Sequence, residues 1–419
     1  MVEINNELVQ MGKQAKRAAR SLRKTTTKEK NEALLLIAEA LGAETDAILE
    51  ANARDIANAR ERGLAEAMIE RLNLTEQRIE GMQNGLRQIA GLPDPITKTD
   101  TEWVNEQGLR IARRRVPLGV IGIIYESRPN VTVDASGLSL KAGNAVILRG
   151  GKEALESNKA IIQAIQKGLE RSAVPTDSIQ LITDPSRELA SQLMRFNQCV
   201  DCLIPRGGAG LIQAVLKQAT VPVIETGVGN CHLYVHEAAD VDMAARILIN
   251  GKTQRQSVCN ALESLVIDNA VADKVLPVLA EKLLDLNVEI RGDERTQELV
   301  QKAVPATEED YAAEFLDDII SVKVVDGYEE AVAHIDQYST GHSDAIITND
   351  YKAAQDFLND IDSAAVYVNA STRFTDGEMF GFGGEIGIST QKLHARGPMG
   401  LDALTSYKYV IEGSGQIRE

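Results

Sequence analysis

The sequence predicts an α/β protein made of two doubly wound lobes with a small β extension. Three observations lead there. After residue 116, short apolar runs alternate with helical segments, the order expected of strands and crossover helices in a parallel sheet. Runs such as Gly119-Val120-Ile121-Gly122-Ile123-Ile124-Tyr125 are apolar on both faces, which suits strands covered by helices on each side. A chain of 419 residues exceeds what one core holds, so two or three lobes are expected.

The first hundred residues read as helices. Thr26-Thr27-Lys28-Glu29 offers a capping box ahead of Ala33-Leu34-Leu35-Leu36-Ile37-Ala38. Gly63, Gly81, Gly85 and Gly91 punctuate the later helices, and Pro93 and Pro95 end the region. Trp103 to Ala112 alternates around Glu106-Gln107-Gly108 and reads as a hairpin. Strands are then expected at 119–125, 145–149, 179–182, up to 204, and at 221–224. Helices are expected at 133–140, 157–171, 186–194 and from the glycine turn to 219. A second set comes next: helices at 241–250, 271–286 and 328–336, with strands at 265–267, 319–325 and 345–348. Ala364-Ala365-Val366-Tyr367-Val368-Asn369 reads as a return to the first sheet. The tail Ser406-Tyr407-Lys408-Tyr409-Val410-Ile411 is an exposed strand whose free edge needs covering, so with the hairpin it predicts a subunit interface.

The net charge of −16 argues against nucleic acid as a partner, because phosphate backbones are bound by basic surfaces. An anionic substrate must therefore meet a local basic pocket. No signal peptide and no membrane-spanning run is read, and four cysteines without an export signal suit reduced thiols in the cytoplasm. Cys199 and Cys202 form a C-x-x-C without further ligands at zinc spacing, inside what reads as a buried strand, so no metal site is expected.

Ser257-Val258-Cys259-Asn260 is the segment richest in chemistry. It comes after the polar run Lys252-Thr253-Gln254-Arg255-Gln256 and precedes Leu265-Val266-Ile267, so its thiol is exposed yet carried on a rigid element, and Lys252 and Arg255 would favour thiolate. The other reading of a lone cysteine is a small buried hydrophobe. Gly207-Gly208-Ala209-Gly210 lies between strand and helix and could approach a phosphate. Gln213, however, stands where a third glycine would complete G-x-G-x-x-G, so on its own the segment reads first as an ordinary βα turn. Arg149 and Lys152 close a strand where a ribose or its 2′-phosphate would sit, or form a solvated pair. Glu225 after a strand could act as a base or orient a cofactor, or be a turn residue. Glu314 is either a functional carboxylate or a helix end. Cys231 and His232 are neighbours on a strand and point to opposite faces, so they are poor partners. Phe380-Gly381-Phe382-Gly383-Gly384-Glu385 is a surface turn or a loop over a cleft.

Several longer motifs occur in a telling order. They include Pro117-Leu118-Gly119-Val120-Ile121-Gly122, Tyr125-Glu126-Ser127-Arg128-Pro129-Asn130, Lys141-Ala142-Gly143-Asn144, Arg149-Gly150-Gly151-Lys152 and Pro205-Arg206-Gly207-Gly208. Further on come Cys259-Asn260-Ala261-Leu262-Glu263 and Gly387-Ile388-Ser389-Thr390-Gln391-Lys392-Leu393-His394-Ala395-Arg396-Gly397-Pro398. On these the chain resembles the aldehyde dehydrogenase superfamily over essentially its whole length, and most closely its members that act on an acyl phosphate. The resemblance implies a cofactor-binding lobe (residues 1–102 and 116–225, with a return at 362–389), a catalytic lobe (226–361) and an oligomerisation flap (103–115 and 390–419).

It also implies an activity: NADPH-dependent reduction of L-glutamyl 5-phosphate to glutamate 5-semialdehyde, the second step of proline biosynthesis. A hydrolytic aldehyde oxidation is the alternative. Cys259 would be the nucleophile, and Asn130, ahead of Ser127, would complete the oxyanion site. Glu225 matches the carboxylate that activates water in hydrolytic relatives, a role a reductase does not need. Arg149, Lys152, Gly207, Gly208, Glu225 and Glu314 would hold the cofactor, with Glu314 on the nicotinamide ribose. Charge and placement, rather than motif, nominate Arg128, Arg255 and Arg396 for the anionic substrate. The expected partners are this small molecule, further copies of the chain as a dimer or tetramer, and functional coupling to glutamate 5-kinase.

Overall fold

A computed structural model describes residues 4–418 and resolves into two units. The first comprises residues 4–226, Gly381–Gly387 and residues 399–418; the second comprises Gly227–Phe380 and Ile388–Pro398.

The first unit opens with five helices, Asn6–Leu22, Thr27–Ala43, Thr45–Glu61, Glu66–Leu72 and Glu76–Gly91. The capping box is present: Thr26 Oγ1 accepts from the Glu29 N–H, and the Glu29 carboxylate accepts from the Thr26 N–H at 2.7 Å. The parallel sheet has the strand order Ile179–Leu181, Ala145–Arg149, Val120–Tyr125, Cys202–Arg206. Val120–Tyr125 comes first in the chain yet lies inside the sheet. The topology therefore switches direction between it and Cys202–Arg206, the place where doubly wound sheets bind ligands beyond their carboxyl ends. Every residue of Val120–Tyr125 is buried, which accounts for its unbroken apolar run.

The strand expected at 221–224 is reduced to a single bridge between Val223 and Leu203. Pro222 has no N–H to donate, so the ladder cannot extend, although its carbonyl still accepts from Leu203 at 2.8 Å. A separate antiparallel sheet joins Thr99–Val104, Arg110–Pro117 and Thr405–Glu412. The tail expected to be an open strand is thus paired on one side. Its residues Tyr407, Tyr409 and Ile411 remain exposed beside Trp103, whose ring meets Tyr409 edge-on at 6.2 Å.

The second unit is a seven-stranded parallel sheet ordered Val304–Pro305, Glu289–Gly292, Ile319–Val325, Leu262–Asp268, Cys231–Val235, Ser343–Ile347, Ala365–Val368. Helices Val241–Thr253 and Asn269–Asp285 pack on one face through Leu248, Leu276 and Leu279. Tyr328–Tyr338 and Tyr351–Asp360 cover the other through Ile335 and Phe357. One expectation is corrected here. Ala365–Val368 does not return to the first sheet. It pairs in parallel with Ser343–Ile347, Ser343 opposite Ala365, as the outer strand of this one. The helix Tyr351–Asp360 makes the crossover that places these two consecutive parallel strands side by side. The second unit accordingly runs to Phe380 rather than ending at 361 and also takes in Ile388–Pro398, so that only Gly381–Gly387 and residues 399–418 rejoin the first unit.

His334 is buried in this unit against Tyr311 and Tyr338, with ring centroids 5.1 and 4.7 Å away, and burial pushes its pKa down to about 3. The unfolded chain binds a proton near pH 6.5 that the folded one refuses. His334 therefore costs nothing above that pH, and stability falls as pH drops from 6.5 toward 3, by at most about 1.4 kcal/mol per pH unit for this one site. Urea midpoints between pH 7 and 4 should fall less steeply for His334→Phe than for the parent chain. Parallel curves would contradict the assignment.

Candidate active site

Cys259 sits in the turn between helix Val241–Thr253 and strand Leu262–Asp268. It is half-buried, whereas Cys199, Cys202 and Cys231 are buried. Burial pushes the Cys202 thiol up to about 12 and that of Cys231 well above its usual range, so both stay protonated and unreactive.

The turn is fixed from several sides. The Cys231 thiol donates to the Cys259 carbonyl at 3.2 Å. The Asn260 amide donates to the Thr375 carbonyl at 2.8 Å and the Arg373 carbonyl at 3.4 Å, while the Thr372 hydroxyl donates to the Asn260 carbonyl at 2.8 Å. Behind it runs a buried relay: Cys231 Sγ lies 3.8 Å from His342 Nδ1, His342 Nδ1 2.9 Å from Ser343 Oγ, and Ser343 Oγ 2.7 Å from Thr375 Oγ1. Cys231 thus serves the backbone of the reactive turn, and His232 faces away to Asp344, as their neighbouring strand positions require.

Gly229 lies so close that a Cβ there would fall 1.5 Å from the Cys259 carbonyl oxygen. Its N–H donates to Glu314 Oε1 at 2.8 Å. The structure therefore gathers Cys259 and Glu314 around one glycine. Beneath them Lys252 and Glu263, both fully buried, form an ion pair at 2.5 Å. Burial lifts the Glu263 carboxyl to about 7 against the opposing pull of Lys252.

Of the three arginines nominated for the substrate, Arg255 is exposed in the segment leading to Cys259. Arg396 is held at the surface by Asp362 Oδ1 at 2.8 Å. Arg128 belongs to the first unit. A further cation went unread in the sequence. Arg373 is half-buried, its Nε donates to the neutral Gln254 side chain at 3.1 Å, and burial first, then the charge of Arg255, lowers its pKa, with Cys259 pulling the other way. The signal was an arginine in the polar Ser371-Thr372-Arg373 loop just past the carboxyl end of a parallel strand.

The first unit carries its own cleft, of about 1160 Å³, at the carboxyl ends of Val120–Tyr125 and Ala145–Arg149. Its lining includes Glu126, Arg149, Lys152, Glu153, Arg187 and Gly210. Arg149 turns its guanidinium onto the carbonyls of Pro185 and Ser186, at 2.6 and 3.3 Å, and braces that loop. Arg62, Lys152 and Arg187 are exposed cations that line the cleft. Gly208 N–H donates to Glu126 Oε2 at 2.9 Å, and a Cβ on Gly207 would fall 2.4 Å from the same oxygen, so a carboxylate occupies the expected phosphate turn. Ser127 donates through N–H and hydroxyl to Glu153, at 3.0 and 2.8 Å. Asn130 is exposed, opens helix Asn130–Lys141, and donates to Asp134 at 3.0 Å, where burial lifts that carboxyl to about 6. Glu225 is half-buried in the loop before Thr226. Volume and placement fit a dinucleotide cofactor.

A profile of the aldehyde dehydrogenase family matches residues 5–299 and 297–410. The chain is 56% identical over 413 residues to a gamma-glutamyl phosphate reductase of Clostridium botulinum (strain Alaska E43 / Type E3), covering 99% of this chain and 100% of the relative. It is 57% identical over 412 residues to one of Listeria monocytogenes serovar 1/2a, covering 98% of this chain and 99% of the relative. The crystal structure of a gamma-glutamyl phosphate reductase from Thermotoga maritima superposes with a TM-score of 0.96 at 51% identity, over 99% of this chain and 100% of that one.

Proposed function

The chain belongs to the aldehyde dehydrogenase family, and from that premise we propose that it reduces L-glutamyl 5-phosphate to glutamate 5-semialdehyde, with NADPH as the reductant. The observation that carries this reading is Cys259: a half-exposed thiol on a turn fixed by its neighbours, in a chain more than half identical to enzymes named for that reaction.

In this mechanism the Cys259 thiolate attacks the acyl carbon, phosphate leaves, and a thioester remains on sulfur. NADPH, when bound, supplies the hydride that converts the thioester carbon to a hemithioacetal, which collapses to the aldehyde and frees the thiolate. Two cations of the same unit, Arg255 and Arg373, suit the anionic acyl phosphate, and partial burial, with the charge of Arg255, lowers the pKa of Arg373. The backbone N–H of Cys259 is a donor for the oxyanion; the engagement of Asn130 by Asp134 makes its amide the weaker candidate in this conformation. Glu314 orients the cofactor's nicotinamide ribose. In the first unit Lys152 and Arg187 receive the 2′-phosphate, with Arg149 as the brace behind them. Glu225 is assigned no water-activating role, because water at the thioester would divert it to glutamate.

The exposed aromatic face of the three-stranded sheet supports assembly of several copies, as a dimer or tetramer. The reaction places the enzyme after a kinase that makes the acyl phosphate, glutamate 5-kinase, in the second step of proline synthesis in the cytoplasm. Among the described residues, no helix is long and apolar enough to cross a membrane.

The test runs the reaction backwards. With glutamate 5-semialdehyde and NADP⁺, turnover should require inorganic phosphate or arsenate as the acceptor of the acyl group. Equal turnover in phosphate-free buffer would overturn the proposal and favour thioester hydrolysis.

A further inference from the structure

We propose that Glu263 is a positioning residue for the reaction, its carboxylate setting the turn that carries Cys259 and the backbone that carries Glu314 as one piece. This rests on the reading of Cys259 as the nucleophile.

Lys252 lies in the last turn of helix Val241–Thr253 and Glu263 in the strand that begins at Leu262, so their contact at 2.5 Å joins the two ends of the segment that contains Cys259. The other Glu263 oxygen, Oε1, accepts from the Leu316 N–H at 3.1 Å. Leu316 has φ of 55°, a left-handed conformation rare for leucine, and it persists because its surroundings impose it. Two residues earlier, Glu314 accepts from the Gly229 N–H at 2.8 Å. Gly229 in turn lies against the Cys259 backbone. The circuit closes: Glu263 holds Leu316, the Leu316 turn aims Glu314, Glu314 holds Gly229, and Gly229 abuts the nucleophile.

A buried ion pair is a poor device for stability, since apolar side chains of similar volume usually serve as well. A charged pair in this spot is better explained by what it orients. The two carboxylate oxygens do different work, Oε2 on Lys252 and Oε1 on the Leu316 N–H, and a substitution can separate them.

The experiment compares two double variants, each relieved of the stranded ammonium that Glu263→Gln alone would leave. Lys252→Met/Glu263→Gln keeps a carbonyl acceptor for Leu316. Lys252→Met/Glu263→Met removes it. Melting temperature and steady-state kcat and KM are measured for both. Both should melt near the parent chain. The acceptor-keeping variant should retain kcat within about threefold, and the Met/Met variant should lose about 10²-fold in kcat with the glutamyl substrate's KM little changed, as a displaced reacting group requires. Equal kcat in the two variants, at any level, overturns the proposal, because packing alone would not distinguish them. Should one variant fold poorly, kcat is taken per titratable active thiol, so the comparison still decides. If alkylation of Cys259 by iodoacetamide leaves the parent enzyme's turnover intact, it is the nucleophile assignment that fails instead.

Discussion

Cys259→Ser is expected to lower turnover by about 10³-fold or more, because a hydroxyl remains protonated where a thiol ionises and is a far weaker nucleophile without a dedicated base. The substitution replaces sulfur with oxygen and leaves the turn alone. The Cys231 thiol still reaches the residue's carbonyl, and Asn260 still reaches Thr375. Substrate KM should therefore change little while kcat collapses, the pattern of a group that acts only as bonds are made. NADPH oxidation with freshly made glutamyl phosphate measures it, and a rate near that of the parent chain would remove the basis of the proposed mechanism. The other cysteines offer no substitute, since all three are buried.

Gly229→Ala should be nearly as damaging, although it touches no reacting atom. Its added methyl would fall 1.5, 2.3 and 2.6 Å from the carbonyl oxygen, carbonyl carbon and Cα of Cys259. These are backbone atoms and cannot rotate aside as a side chain would. Either the entry to strand Cys231–Val235 or the reactive turn must shift, and a displacement near 1 Å at a nucleophile costs about 10²-fold in rate. The same change at Gly85, in helix Glu76–Gly91, meets nothing within 4 Å and serves as the control. Full activity in Gly229→Ala would mean that the turn tolerates movement and that its many tethers do not matter to catalysis.

Much of this was legible in the chain itself. Strands Ala145–Arg149 and Ile319–Val325 lie where their apolar runs place them, because strands buried on both faces leave little choice of conformation. The strand Val120–Tyr125 was equally plain, and so was the place of Cys259 between a polar run and an apolar one, though not its role. What escaped depends on contacts distant in sequence. Nothing local tells Ala365–Val368 which of two sheets to join; its neighbour is decided by the crossover that precedes it. Glu289–Gly292 and Val304–Pro305 are short, partly polar strands that exist because an edge was open to them. Arg373 looks like any loop cation until its carbonyl is seen bonded to Asn260. Arg149, conversely, has the right place for a cofactor contact but turns away to the Pro185 and Ser186 carbonyls, a choice of rotamer that no spacing encodes.

The strand Thr405–Glu412 lies in register with Arg110–Pro117, Thr405 opposite Pro117, and the Asn144 amide donates to the Leu404 carbonyl at 2.9 Å. A ribosome making this protein from the N-terminus has thus exposed the middle strand long before its final partner is translated. One edge of that hairpin must wait, unprotected, through the synthesis of nearly three hundred residues. Thr405–Glu412 acts as the closing stitch of the first-made half, so a premature stop codon ahead of Thr405 would reach back and harm the beginning.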